Sequence, residues 1–219
     1  FWSGTAATTK RGLEILGIGL VDADDKDCVS LVAVQTPDTV TLDNISSNLV
    51  DWYADVLKSK KEQLQKLTRN VVADAFFSKE TFITPLLKEG FHVISRFRND
   101  SVLFYPTSKE RTGKRGRPQL YDGKIDFADL DVSRCEKLEA DRGRLYSLKA
   151  YSKPLRRMVR LVVWYPDDNS ARWNLYFTTD VGMSGKDILD IYRTRFQIEF
   201  CFRDGKHPTG LAHCQSTSV

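Results

Sequence analysis

Apolar and polar positions along the chain switch between a period of two and a period near 3.6. Leu13 to Asp22 (LEILGIGLVD) is a short apolar run closed by an acidic turn, and Cys28 to Val34 (CVSLVAV) is a second β-rich run. Two such runs across a polar turn predict a β-hairpin. Their length and β-branched content predict central rather than edge strands. Thr36-Pro37-Asp38 ends the hairpin. Asp43 or Asn44 is placed to cap a helix running to about Lys66, with Ile45, Leu49, Trp52, Val56 and Leu57 on its buried face.

Asn70 to Phe77 (NVVADAFF) reads as a buried strand that carries one acid, Asp74. Ser78 is placed to cap a helix that ends at Gly90, and Phe91 to Arg98 forms the next strand. Strand, helix, strand in that order predicts a parallel pair with a right-handed crossover. After Asn99 the texture becomes rich in Gly, Pro and charge, with short β-like runs at Gly143 to Ala150, Arg157 to Trp164 and Arg172 to Thr178. These predict an antiparallel β insertion. Ser184 then caps one long helix through about Lys206. The expected organisation is an α/β core in residues 1–99, a β-rich insertion in 100–178, and a C-terminal helix in 179–219 that completes the core.

Composition narrows this picture only a little. The chain has 219 residues and a net charge of +4, so clustering of Lys and Arg matters more than the total. Cys28, Cys135, Cys201 and Cys214 are far apart and form no close pair of the zinc-ligand kind. That fits a reduced, cytoplasmic compartment. No apolar stretch approaches membrane-spanning length. The start at Phe1, without an initiator Met, reads as the start of an internal fragment.

The last helix is the most informative element. On a wheel at about 100° per residue, Tyr192, Glu199 and Lys206 step by sevens along one side, with Arg195 nearby. Asp190, Arg193, Thr194, Gln197 and Asp204 gather opposite, as a solvent face. Apolar residues wall the first stripe on both sides. That stripe must therefore point inward or into a cleft, where Glu, Arg and Lys are costly unless paired or holding a ligand. A Glu–Arg ion pair that locks the helix is the structural alternative.

Tyr192, Arg195, Glu199 and Lys206 also carry the spacing Y-x2-R-x3-E-x6-K. With the surrounding IYRTRFQIEFCFRDGKHPTGLAHCQ, the FWSGTAATTKRGLEILGIGLVD stretch and VVADAFFSKETFI, the chain resembles insertion-sequence DDE transposases of the insertion-sequence-four-like group, which carry a YREK signature. The resemblance spans nearly the whole chain. It implies a ribonuclease-H-like mixed sheet with flanking helices and an antiparallel β insertion before the last helix. It also implies three metal-binding carboxylates, of which the second matches Asp74 and the third Glu199. The first precedes the FWSG stretch in the family, so it is expected upstream of Phe1 together with the first strand. Asp22, Asp24, Asp25 and Asp27 belong to the hairpin turn, where Asp is at home.

From the same resemblance follow two divalent ions, magnesium or manganese, held by oxygen ligands at Asp74 and Glu199. Arg195, Lys206 and Tyr192 become expected contacts to backbone phosphate. The implied partners are transposon terminal repeats, target DNA and a second protomer in a synaptic dimer. A basic loop, Lys109 to Pro118, holds an Arg-Gly-Arg-Pro core like that of a minor-groove AT-hook, which adds Arg115 and Arg117 as expected DNA contacts. Lys153, Arg156, Arg157 and Arg160 form a second basic cluster. Trp164 and Trp173 are expected in the core. The competing functions are a catalytically inactive DNA-binding fragment and another ribonuclease-H-like nuclease.

Overall fold

A computed structural model describes residues 2–3, 8–9, 14–44, 48–107, 121–166 and 172–209. The chain divides into two compact units, residues 1–49 with 193–219, and residues 50–192.

The larger unit is built on a mixed sheet. Its strands are β5 (Asn70–Val72), β6 (His92–Phe97), β7 (Leu103–Pro106), β8 (Tyr121–Lys124), β9 (Glu136–Leu138), β10 (Arg144–Ser152), β11 (Arg157–Tyr165) and β12 (Asn174–Thr178). They lie in the order β5-β6-β12-β11-β10-β7-β8, and β9 shares an edge of β10 with β7. β5 and β6 are parallel and every other pair is antiparallel. The insertion strands thus extend the same sheet that begins with the parallel pair.

Alternation along the strands sends side chains to two faces. On one face Ile94, Leu145 and Val162 pack against Ile188 and Leu189 of α5 (Gly185–Thr194). To the other point Val93, Phe97, Leu161, Val163, Leu175 and Phe177, all buried, with Phe97 and Phe177 stacked at 3.9 Å. Here α4 (Glu80–Lys88) contributes Phe82, Ile83 and Leu86. Each such side chain stabilises by about 1.5–3 kcal/mol when fully buried. Tyr53 of α2 (Leu49–Ser59) joins this layer through Phe77, at 5.4 Å between ring centroids. Gly90 closes α4 with a positive φ of 83°, which a Cβ would oppose.

The smaller unit contains the hairpin of β3 (Ile15–Val21) and β4 (Cys28–Gln35). It also holds α1 (Thr39–Asn44), α6 (Gln197–Thr209) and the short pair β1 (Trp2–Ser3) and β2 (Thr8–Thr9). The hairpin turn is fixed by Asp22, whose carboxylate accepts the backbone N–H groups of Asp24 and Asp25 at 2.8 and 3.1 Å. Those two N–H groups hold the Asp22 carboxyl below its ordinary range. The acids of this segment are thus turn residues.

Several expectations are corrected. Among the described residues the hairpin is a two-stranded sheet of its own, not a central part of the large one. The helix expected to reach Lys66 is divided into α1, α2 and α3 (Lys61–Leu64), with Val50, Tyr53, Ala54 and Leu57 buried on α2. Trp52 and Val56 lie at the border of that face, half-buried. Ser78 does not cap α4. Its hydroxyl instead donates to the carbonyl of Arg96 at 2.7 Å, and Lys79 holds the cap position. The long helix from Ser184 is interrupted: α5 ends at Thr194 and α6 begins at Gln197. No Gly or Pro marks the break, so the apolar periodicity runs straight through it. Ser184 does cap α5, accepting the Asp187 N–H at 3.1 Å.

Candidate active site

Asp74 stands just past the carboxyl end of β5, where ligands of open α/β sheets are usually held. The parallel register Val72↔Ile94 is carried one step further by the Ala73 N–H, which donates to the Ile94 carbonyl at 3.0 Å. Extended backbone at Asp74 (φ −75°, ψ 179°) then leads into a 3-10 turn over Ala75–Phe77. Its carboxylate accepts the Phe76 N–H at 2.8 Å through Oδ1, and its carbonyl accepts the Ser95 hydroxyl at 2.8 Å. Ser95 is fully buried and also bonds Ser78 at 3.0 Å, so the turn is pinned to β6 at two places. The sequence reading of a buried strand through Phe77 is corrected here. β5 stops at Val72, Asp74 is exposed, and Phe76 is 46 % exposed with the Lys79 ammonium 4.0 Å from its ring centre.

Tyr192 lies near the end of α5 in the same unit. It packs against the Ile94–Val162–Ile188 cluster, and its ring is 5.0 Å from that of Tyr176. It is half-buried, so it serves packing while keeping one edge at the surface.

In the smaller unit, α6 lies on the hairpin. A Cβ on Gly17 would come within 2.3 Å of the Phe202 ring, and one on Gly19 within 2.7 Å of Ile198. Glycine at both positions lets the helix approach this closely. Cys201 donates its thiol to the Cys28 carbonyl at 2.9 Å. Burial, reinforced by the Cys201 thiol, pushes the Cys28 thiol up to about 12, so the Cys28 sulfur is a packing group at neutral pH. With this face turned to the hairpin, Glu199 points away. Its side chain is 50 % exposed and its Oε1 accepts from Arg195 Nη2 at 3.2 Å. The continuous helix on which that stripe was read is therefore corrected. The step from Tyr192 to Glu199 crosses the interruption, Glu199 is exposed, and Thr194, read as a solvent residue, is 6 % exposed. The Arg195–Glu199 ion pair does form, at i,i+4 spacing.

Lys206 falls within α6, but its side chain lies outside the described residues, as do Arg115 and Arg117. The second basic cluster is split by strand alternation. Arg157 turns to the α4 side and bonds the Thr84 hydroxyl, while Arg160 bonds Glu136. Lys153 and Arg156 are exposed in the connecting turn. Trp164 packs against the α5 cluster and donates to the Arg142 carbonyl at 3.1 Å, and Trp173 is half-buried beside Phe127. Two residues that the sequence reading did not select, Ser95 and Arg96, flank Asp74 on β6. The available signal was polar residues following the buried run of a strand adjacent to an acid-bearing one.

Among the described residues no group of three or more His, Cys, Asp or Glu gathers as a metal cluster. Asp74 and Glu199 nonetheless each fit a hard cation by donor type. Each is an exposed carboxylate with one oxygen engaged by an N–H donor and a second oxygen with no hydrogen bond from a described residue.

The family model for the transposase DDE domain matches residues 48–219, most of the chain and all of the sheet that holds Asp74. The chain belongs to the DDE transposases. Its mixed sheet with flanking helices agrees with the ribonuclease-H-like domain of that family. DDE transposases use divalent metal ions and act on DNA. Among curated proteins none matches this transposase. No helix among its described residues is long and apolar enough to cross a membrane.

Proposed function

We propose that this transposase cleaves DNA strands at transposon ends and joins the freed ends to target DNA, as a member of the insertion-sequence-four-like group. The observation that carries the proposal is Asp74. An exposed carboxylate is held past the end of a parallel strand by a pinned turn, inside the segment matched to the DDE domain.

Asp74 and Glu199 are each assigned a metal-ligand role, with magnesium or manganese as the ion. When bound, two such ions neutralise charge on the phosphate and supply an activated water at neutral pH. The chain's own residues hold and orient the DNA. Arg195 and Lys206 bind backbone phosphate, Arg bidentately and Lys as a point charge. Tyr192 is assigned a further phosphate contact through its hydroxyl. Arg115 and Arg117 are assigned to the minor groove. Joining two transposon ends calls for two protomers, so a dimer is the proposed working form, acting on DNA in the cytoplasm.

The Arg195–Glu199 ion pair supports a second reading in which these two residues only lock α6. Incubation of the full-length protein with terminal-repeat DNA, target DNA and magnesium or manganese tests the proposal. Covalently joined donor–target DNA is expected. Binding without any cleavage or joining would overturn it in favour of a DNA-binding protein. Cleavage without joining would favour a different nuclease of the same fold.

A further inference from the structure

β6 sends Val93, Ser95 and Phe97 to one side of the sheet, where each is at most 3 % exposed. Ile94 and Arg96 go to the other. Ile94 is buried beneath Ile188 and Leu189 of α5, but Arg96, one step on, is exposed. Two neighbours define its place. On one edge Arg96 is directly opposite Tyr176, whose ring contacts Tyr192 at 5.0 Å. On the other edge, continuing the register Val72↔Ile94 by two residues brings Asp74 level with Arg96. The backbone here is fixed, because the Arg96 carbonyl accepts from Ser78 and the Ser95 hydroxyl donates to the Asp74 carbonyl. All of these residues belong to one compact unit.

Among the described residues Arg96 makes no ion pair, with Asp74 or with any other carboxylate, although other arginines of the chain do. An exposed guanidinium on a rigid strand, beside a carboxylate and beside a tyrosine pair, has the geometry of an anion contact awaiting its anion. Guanidinium binds the two non-bridging oxygens of a phosphodiester in parallel, which an ammonium cannot do. A strand position also holds the fork more firmly than a loop would.

We propose that Arg96 binds a backbone phosphate of the DNA strand presented to Asp74, and so positions that strand along the end of β5. This rests on the transposase reading of Asp74 given above. Arg96 is thus a DNA-positioning residue rather than one that reacts.

The test measures binding in EDTA, so that it does not depend on cleavage. A fluorescein-labelled duplex of the terminal repeat bordering the protein's own element is titrated with the full-length protein across a range of salt. Arg96→Ala is expected to weaken binding about tenfold and to lower the slope of log affinity against log salt by about one. Arg96→Lys should restore most of the slope but only part of the affinity. Replacing single phosphates by neutral methylphosphonates should locate one position that weakens the wild type but not Arg96→Ala. An unchanged thermal midpoint confirms that the variant is folded, and Arg96→Gln serves if alanine does not fold. Equal affinity, slope and methylphosphonate profile in wild type and variant would overturn the proposal while leaving the transposase reading intact. A wild-type protein that fails to bind DNA would overturn both.

Discussion

β11 in the larger unit and β4 in the smaller read almost alike, yet their surroundings differ completely. RMVRLVVWY and CVSLVAVQ are both short, apolar and β-branched. In β11, Val159, Leu161, Val162 and Val163 are all fully buried. In β4, Val29 is 62 % exposed and Leu31 is 40 % exposed. The cause lies outside the strands. β11 has β10 and β12 on its two edges and belongs to a sheet packed by α4 on one face and α5 on the other. Among the described residues β4 pairs with β3 alone, and α6 lies against the pair. Strand propensity is a local property, whereas burial depends on what the rest of the chain brings to each face.

The largest expected effect on this contrast comes from the sheet core. Leu161→Ala should cost about 2–5 kcal/mol, through lost transfer energy and the cavity left behind. Its urea midpoint, followed by circular dichroism, checks this. A smaller cost is expected at the hairpin, where Gly17→Val drives a side chain into Phe202 and should cost about 1–3 kcal/mol by overpacking. Pairing it with Phe202→Ala sharpens the point, since removing the ring should recover most of the loss. The smallest effect is expected from Val29→Ser, within about 0.5 kcal/mol, because the side chain is already in water. A cost at Val29 comparable to that at Leu161 would break the comparison.

The same contrast explains what the sequence could disclose. Three of the insertion strands (β10, β11 and β12), the hairpin, α4 and the parallel pair were legible, because period-two alternation and turn residues are local signals, whereas the short β7, β8 and β9 were not. The separate sheet of the hairpin was not, since LEILGIGLVD and CVSLVAV carry no mark of how many neighbours they will have. The break after Thr194 was equally silent, because Thr194, Arg195 and Phe196 include no helix breaker and continue the apolar spacing. The wheel therefore placed Glu199 inward, while the face of Ile198, Cys201 and Phe202 is the one that meets the hairpin.

For the candidate site, Asp74 was legible as an acid in an apolar strand. Its exposure was not, because that depends on β5 ending at Val72 and on Ser78 leaving the cap position to bond β6. Arg96 was hidden for a related reason. Its meaning comes from strand order, which sets it between Asp74 and Tyr176, and strand order is not written in local pattern.

The central claim is that Asp74 and Glu199 serve chemistry rather than folding or DNA affinity. Strand cleavage of terminal-repeat DNA in magnesium, measured for full-length wild type, Asp74→Asn and Glu199→Gln at saturating protein, tests it directly. Both variants should lose cleavage to background while their gel-shift affinity for the same DNA persists. Wild-type cleavage by either variant would contradict the account, and in Glu199→Gln it would leave the Arg195–Glu199 pair as a lock on α6.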